Sequence, residues 1–393
     1  MRRITRRLRD ESGMTYVFVG LGFMAFLGAS MLAIDVGMLM TARNQAQNSA
    51  DAAALAGATS LAFDSWDDRS ASGPAVTNAI AAGQANQVMR AMVSVTPPDI
   101  TFPLSPTTGQ ANRVRATVWR SSARGNPLPT FIARYFGMAT ASVGAVATAE
   151  ASPANAMTCV KPFTIPDKWT ENQTAPWDPT DGFSRYDKKG NVIPNADVYV
   201  PAFNGSGQAN AGYTGYNNEA NRGVRLVLRS GQGTQIQSSF YFSLAMIGDT
   251  GGDDYRWNIG NCNHSIYHWG DALTQEPGDK EGPTIQGVLE LIARDPNAYW
   301  DDSINGIRAS NYGNGQQSPR VFPIPLYDPD YYDDGQAHGR VASLKTANWI
   351  GFFAEYISGS EIHGRIIPIG GIRDKTWNGP GAPGFPLVIR LVE

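Results

Sequence analysis

A run without a single charge, Ser12 to Ile34, lies near the start of the chain. At roughly 23 residues it is long enough, as a helix, to cross the ~30 Å hydrocarbon core of a bilayer. No proline interrupts Asp35 to Ala62, which is rich in Ala, Leu, Met, Gln and Asn, so the pattern predicts one continuous helix through the apolar run and beyond it. From Ala46 the apolar positions Ala46, Ala50, Ala53, Ala54, Leu55, Ala58, Leu61 and Ala62 recur mainly at three- and four-residue spacing. Such a narrow stripe of small side chains suits close packing against another helix. A helix from Thr15 to Ala62 is about 70 Å long and would project well clear of a bilayer. The alternative is a membrane helix followed by an ordinary amphipathic helix packed on its own domain.

After an Asp/Ser/Gly-rich loop, Phe63 to Pro74, a second helix is expected over Ala75 to Met92. Val93 to Phe102 reads as a strand broken by Pro97-Pro98, which demotes that part to an edge or a bend. Arg113 to Arg120 alternates Val114, Ala116 and Val118 against Arg113, Arg115 and Thr117, the period-two pattern of a half-buried strand. Thr130 is placed to cap a short helix through Phe136, with Gly137 just past its end. Ala139 to Glu150 reads as a further strand, and ASPANA, Ala151 to Ala156, as a linker. Beyond it, seven of the nine tryptophans lie among Gly/Asn/Pro turns, which marks a change of composition and a separate body. Its short β-type runs are Gly223 to Arg229, Ser239 to Met246, Val321 to Leu326, Trp349 to Ile357, Ile362 to Ile369 and Pro386 to Val392. The clearest helix there is Thr284 to Arg294, preceded by Pro283 and carrying Ile285, Val288, Leu289 and Ile292 on one face. The fold class expected is α+β: a long N-terminal transmembrane helix within residues 1–62, a small α/β unit over 63–151 and a mostly β domain over 157–393. Sandwich and barrel stay equally open for the last.

Charge decides orientation. Arg2, Arg3, Arg6, Arg7 and Arg9 precede the span and only Arg43 follows it closely, so the positive-inside rule keeps the N-terminus cytoplasmic. A single-pass inner-membrane anchor with a periplasmic or surface-exposed body follows. A cleaved signal peptide is the rival, with Gly28-Ala29-Ser30 as a small-residue cleavage site, although the apolar run exceeds the usual signal core. Either way the body meets an oxidising compartment. Two cysteines, Cys159 and Cys262, are an even number in an exported chain and read as one disulfide. A formal net charge of -3, with the one strong basic cluster already spent on orientation, argues against a nucleic-acid partner.

The string QNSADAAALAGA, Gln47 to Ala58, follows AIDVG at Ala33 to Gly37 and an Arg-rich entry ending in Glu11-Ser12-Gly13. Anchor, Asp-x-Gly exit and Gln-Asn-x-Ala-Asp-Ala-Ala-Ala block, together and in order over residues 1 to about 60, resemble the N-terminal signature of the TadE/TadG-like Flp pilus-assembly proteins. The motif positions are Asp35, Gln47, Asn48, Ala50, Asp51, Ala52, Ala53, Ala54, Leu55 and Ala56. The resemblance implies a single membrane helix carrying a periplasmic domain, in a system that builds tight-adherence pili. Prepilin-like members are cut after a Gly just upstream of a Glu. Here no Gly precedes Glu11, so the uncleaved, TadG-like branch fits better. Some large members carry a von Willebrand A module, whose Asp-x-Ser-x-Ser metal string is met neither at Asp64-Ser65-Trp66-Asp67 nor at Asp302-Ser303.

Chemistry-bearing residues are few. His264 and His268, four apart, would share a helix face and could hold zinc with Cys262, but no third ligand and base are spaced for catalysis. Acidic clusters at Asp249, Asp253 and Asp254, and at Asp328, Asp330, Asp333 and Asp334, have the oxygen chemistry of calcium sites, with solvated turn carboxylates as the simpler reading. The turn-dense EPGDKEGPTIQG, Glu276 to Gly287, lacks phosphate-loop order. Gly205-Ser206-Gly207 lacks the spacing of a nucleophile elbow. No cofactor and no enzymatic activity are expected. The expected function is structural: a membrane-anchored assembly component contacting pilins or other pilus-assembly proteins, its alanine stripe packing on a partner helix. Two alternatives are an exported binding module or adhesin, with glycans as a candidate ligand, and a periplasmic hydrolase.

Overall fold

The computed structural model describes residues 12–106, 109–204, 208–210, 212–231, 233–246, 251–313, 315–339, 343–377 and 386–392. The arginine cluster before the span, Asp249 and Ser206 lie outside them. The chain forms two compact units. One comprises the residues up to Leu61, Asp67–Glu150 and the last residues from Arg390; the other comprises Ala62–Trp66 and Ala151–Ile389.

Helix α1 (Ser12–Phe63) changes character along its length. From Gly13 to Leu27 every side chain is exposed, with Phe18, Met24 and Phe26 at 66%, 74% and 67%. Among the described side chains, buried positions begin at Asp35 and recur at Met38, Ala42, Ala46, Ser49, Ala50, Ala53, Ala54, Ala58 and Leu61. A helix apolar on all sides but unburied by protein has the character of a membrane segment. Among the described residues, α1 alone is long and apolar enough to span a bilayer. One continuous helix forms, as the sequence pattern predicts.

The small-residue stripe is filled from within. Helix α2 (Pro74–Ala85) starts with proline at its first turn, where the missing N–H is no loss, and buries Ala75, Val76, Ala79 and Gly83. Gly57 lies so close to α2 that a Cβ there would sit 3.1 Å from the Ala79 methyl and 2.7 Å from Val114 Cγ1. Ser49 Oγ donates to the Gly83 carbonyl at 2.7 Å, and Asn78 Nδ2 to Ser60 Oγ at 2.6 Å. The expected role of the stripe as a docking face for a partner helix is therefore corrected: its own unit occupies it.

Helix α2 stops at Ala85, short of the expected Met92. A tight turn follows, in which Met89 and Arg90 both take positive φ, 49° and 62°, between the bridged residues Val88 and Ala91. Neither is glycine, so the conformation is held from outside: Gln45 Oε1 accepts from Met89 N at 2.8 Å, and Arg120 Nη1 donates to the Val88 carbonyl at 2.5 Å. Strand β1 (Arg113–Arg120) runs antiparallel to β2 (Val143–Pro153), from Arg113 opposite Glu150 to Arg120 opposite Val143. The strand expected across Val93 to Phe102 is reduced to Ile100–Thr101 against β1, because Pro97–Asp99 forms a 3-10 turn. The linker expected at Ala151 is also corrected, since Ala151 to Pro153 continue β2.

In the second unit the open choice between sandwich and barrel resolves as a barrel. Its strands are β3 (Phe163–Pro166), β4 (Arg225–Ser230), β5 (Phe240–Ser243), β6 (Val321–Tyr327), β7 (Leu344–Ser358) and β8 (Glu361–Ile367). They pair in the cyclic order β7-β6-β3-β5-β4-β8, and β8 closes on β7 with Ile366 opposite Phe352. The β3–β6 and β4–β5 pairs are parallel and the other four antiparallel. Alternate residues of all six strands, among them Ile165, Leu228, Tyr241, Ile324, Phe352 and Ile362, gather in one buried cluster. On a closed sheet, one alternating face shared by every strand is the interior. Helices α3 (Gly252–Gly260) and α4 (Glu281–Arg294) join it through Tyr255, Ile259, Val288 and Leu291. Helix α5 (Pro329–Ala337) is capped by Asp328, whose side chain accepts from Tyr331 N.

Candidate functional site at the exit of the apolar helix

Among the described side chains of α1, Asp35 is the first to be buried, and its carboxylate is fully engaged. Oδ1 accepts from Phe131 N at 2.8 Å, and Oδ2 from Ile132 N at 3.1 Å and Ala133 N at 2.7 Å. These three amides open a 3-10 turn, Ala133–Phe136, that Gly137 ends in the left-handed conformation. The amides at the start of such a turn have no partner within it, and a carboxylate satisfies them with charge-assisted bonds. The cap expected from Thr130 is thus supplied by a residue 98 positions away, while Thr130 Oγ1 donates to the Met138 carbonyl. Burial pushes the Asp35 carboxyl up, but the amides of Ala133, Phe131 and Ile132 outweigh it and hold its pKa below the ordinary value. Its position explains the chemistry: an acid one residue beyond an apolar run is kept ionised by backbone donors.

The other motif residues divide by face. Ala50, Ala53 and Ala54 are buried against the unit, Asp51, Ala52, Leu55 and Ala56 are half-buried, and Asn48 is exposed. Gln47 Nε2 reaches both Asp51 Oδ1, at 2.8 Å, and the Val146 carbonyl on β2, at 3.1 Å. The string thus builds a helix with one packed face and one outward face of mixed polarity. Residues 13–60 match the family model described as putative Flp pilus-assembly TadE/G-like. The matched segment is α1 itself, so the TadE/G-like region is at once the apolar span and the packed helix of the first unit. Neither the curated proteins nor the solved structures contain a match to the chain.

In the second unit, Cys159 and Cys262 form a disulfide across 103 residues. His264 Nδ1 lies 3.5 Å from Cys262 Sγ, but both sulfurs are spent on each other and offer no thiolate to a metal. The two histidines do not share a helix, since α3 ends at Gly260. His268 instead stacks on Trp377, ring centroids 4.9 Å apart, and meets Asp374 Oδ2 at 3.0 Å. Hydrogen bonds from Thr376, with His268 beside them, draw the Asp374 carboxyl down to about 2.

Of the acidic clusters, the one from Asp328 to Asp334 is absorbed by the fold, while the described members of the other are exposed. Asp253 and Asp254 lie in the first turn of α3. Asp328 caps α5, Asp330 pairs with Arg185 at 2.6 Å, Asp333 accepts from Arg185 N, and Asp334 meets His338 at 2.9 Å. Both α3 and α5 escaped the sequence pattern because their Asp/Gly content reads as turn. The signal for α5 is nevertheless present, as Asp328-Pro329 is an N-cap followed by a first-turn proline. Asp167 is a fully buried carboxylate that accepts from Tyr213 Oη at 2.7 Å, Tyr199 Oη at 3.0 Å and Tyr216 N at 3.0 Å. Burial pushes its carboxyl up to about 6. With every oxygen filled by protein donors and no surface to a substrate, the cluster ties β3 to the loop that carries the tyrosines.

Proposed function

We propose that this chain is a single-pass inner-membrane component of a Flp/Tad-type pilus assembly, of the uncleaved TadG-like kind, working by protein–protein contacts rather than catalysis. Its N-terminus lies in the cytoplasm and both units lie on the far side of the membrane. One observation carries this reading: the TadE/G-like match falls on a helix whose first half is apolar and uncovered and whose second half is the packed spine of a folded unit. The Cys159–Cys262 disulfide supports an oxidising compartment for the body. Because the alanine stripe is occupied, contacts with pilins or assembly partners fall to the outward face of α1, through Asn44, Asn48, Ala52 and Leu55, and to the barrel surface. The test is an in-frame deletion of the gene, scored by surface pili under the electron microscope. Loss of pili, restored by the full chain but not by a chain lacking residues 12–34, is expected; normal pili in the deletion strain overturn the proposal.

A further inference from the structure

The turn held by Asp35 carries an apolar surface that the fold leaves uncovered. Phe131, Tyr135, Phe136 and Met138 are exposed by 58%, 75%, 65% and 56%. Large apolar side chains clustered on one short turn mark an interaction surface rather than chance exposure. We propose that this turn, Phe131 to Met138, is a second membrane contact: a foot that inserts into the interfacial layer of the bilayer crossed by α1. The inference rests on the anchor reading above.

Position selects lipid as the occupant. The three hydrogen bonds to Asp35 fix the turn's backbone at the residue that follows Ile34, the last of the apolar span. The span's roughly 23 residues rise about 34 Å, close to the ~30 Å hydrocarbon core, and each headgroup layer adds about 5–8 Å. A turn bonded to Asp35 therefore lies within the headgroup layer, where Tyr and other amphipathic rings gather. Close to Asp35, α1 also leaves Ile34, Val36 and Met40 exposed.

Composition agrees. Between Ile100 and Ala149 the sequence holds no acidic residue, so the turn adds no negative charge of its own near lipid phosphates, and the Asp35 carboxylate beside it is occupied by the turn's three amides. Arg134 lies over the Tyr135 ring at 5.0 Å and donates to Tyr135 Oη at 3.1 Å, an arrangement that leaves its remaining donors for phosphate while the stem lies along apolar surface. Between the turn and α1, a cavity of about 480 Å³ lined by Val36, Leu39, Ala133 and Met138 opens at the same level, with room for part of an acyl chain. A single helix fixes depth but leaves tilt and rotation free; a second contact to one side would fix both, and with them the direction in which the first unit faces.

The test uses the full-length chain, disulfide intact, in vesicles of mixed phosphatidylethanolamine and phosphatidylglycerol. An environment-sensitive fluorophore is attached in turn to Phe136→Cys, Gly22→Cys and Ala71→Cys, and quenched by lipids bearing nitroxides at the headgroup or deep in the acyl chain. Ala71, exposed near the far end of the unit, serves as the distant control. The expected result is strong headgroup-level quenching and a blue shift at Phe136, deep quenching at Gly22 and neither at Ala71. Quenching at Gly22 without any at Phe136 overturns the foot and leaves the anchor standing, the turn then facing water or a protein partner. No quenching at Gly22 overturns the anchor, and the foot with it.

Discussion

Gly57 is the one glycine of α1 whose added side chain would meet neighbours, and replacing it separates packing from helix propensity. A Cβ at Gly57 would sit 2.7 Å from Val114 Cγ1, 3.1 Å from Ala79 Cβ and 3.2 Å from the Ala75 carbonyl, so β1 and α2 both crowd it. Gly57→Leu adds four carbons to a site with room for none, an overpacking cost of about 3 kcal/mol at the upper end of the usual range. Leucine is the better helix former by about 0.8 kcal/mol, which leaves a net loss of about 2 kcal/mol. Gly37 in the same helix has nothing within 4 Å of a built Cβ, so Gly37→Leu collects the propensity gain without the clash. Hydrogen exchange on the full chain in detergent reads both. In Gly57→Leu the α2 amides should exchange roughly 30-fold faster, and in Gly37→Leu the surrounding α1 amides about fourfold slower. Equal behaviour of the two variants would refute the packed stripe.

Two further outcomes follow from the buried acids. Asp35→Asn removes the charge from the clamp on Phe131, Ile132 and Ala133; their amides should exchange faster while those of α2 stay protected. In the unaltered chain the carboxyl is held low, so its contribution is complete at neutral pH and is lost only as pH falls through its depressed pKa. Asp167 and Asp328 behave oppositely, because burial pushes both up to about 6. Between the ordinary carboxylate value of about 3.9 and that point, the folded chain holds protons that the unfolded chain has released, so stability is lost as pH rises through 6. The barrel unit should melt at higher temperature at pH 5 than at pH 7, and Asp167→Asn should shrink that difference.

Local pattern proved readable where a single face decided the outcome. The alternation of Arg113 to Arg120 is β1 residue for residue, the Ile285/Val288/Leu289/Ile292 stripe lies on α4, and α1 continues past Ile34 because nothing in it breaks a helix. Closure of the barrel was not readable, since it depends on parallel pairings such as Leu326 with Ile165 that no local signal encodes. The bend at Met89 and Arg90 has no glycine to announce it and is held by Gln45 and Arg120. At the functional end, Asp35 stood out in the motif, but its partners lie 96–98 positions on, and the exposed aromatics they carry read as an ordinary short helix. The alanine stripe announced close packing; what fills it required the fold.

The proposal that α1 is one helix in two solvents, lipid up to Ile34 and its own unit from Asp35, is tested most directly by cysteine accessibility in sealed inside-out and right-side-out membranes. Phe18→Cys and Met24→Cys should resist a membrane-impermeant maleimide from both sides until detergent is added. Met40→Cys and Asn48→Cys should react without detergent, from the periplasmic side alone. Labelling of Phe18→Cys or Met24→Cys in sealed membranes, or of Met40→Cys and Asn48→Cys from the cytoplasmic side, would contradict the single anchored helix.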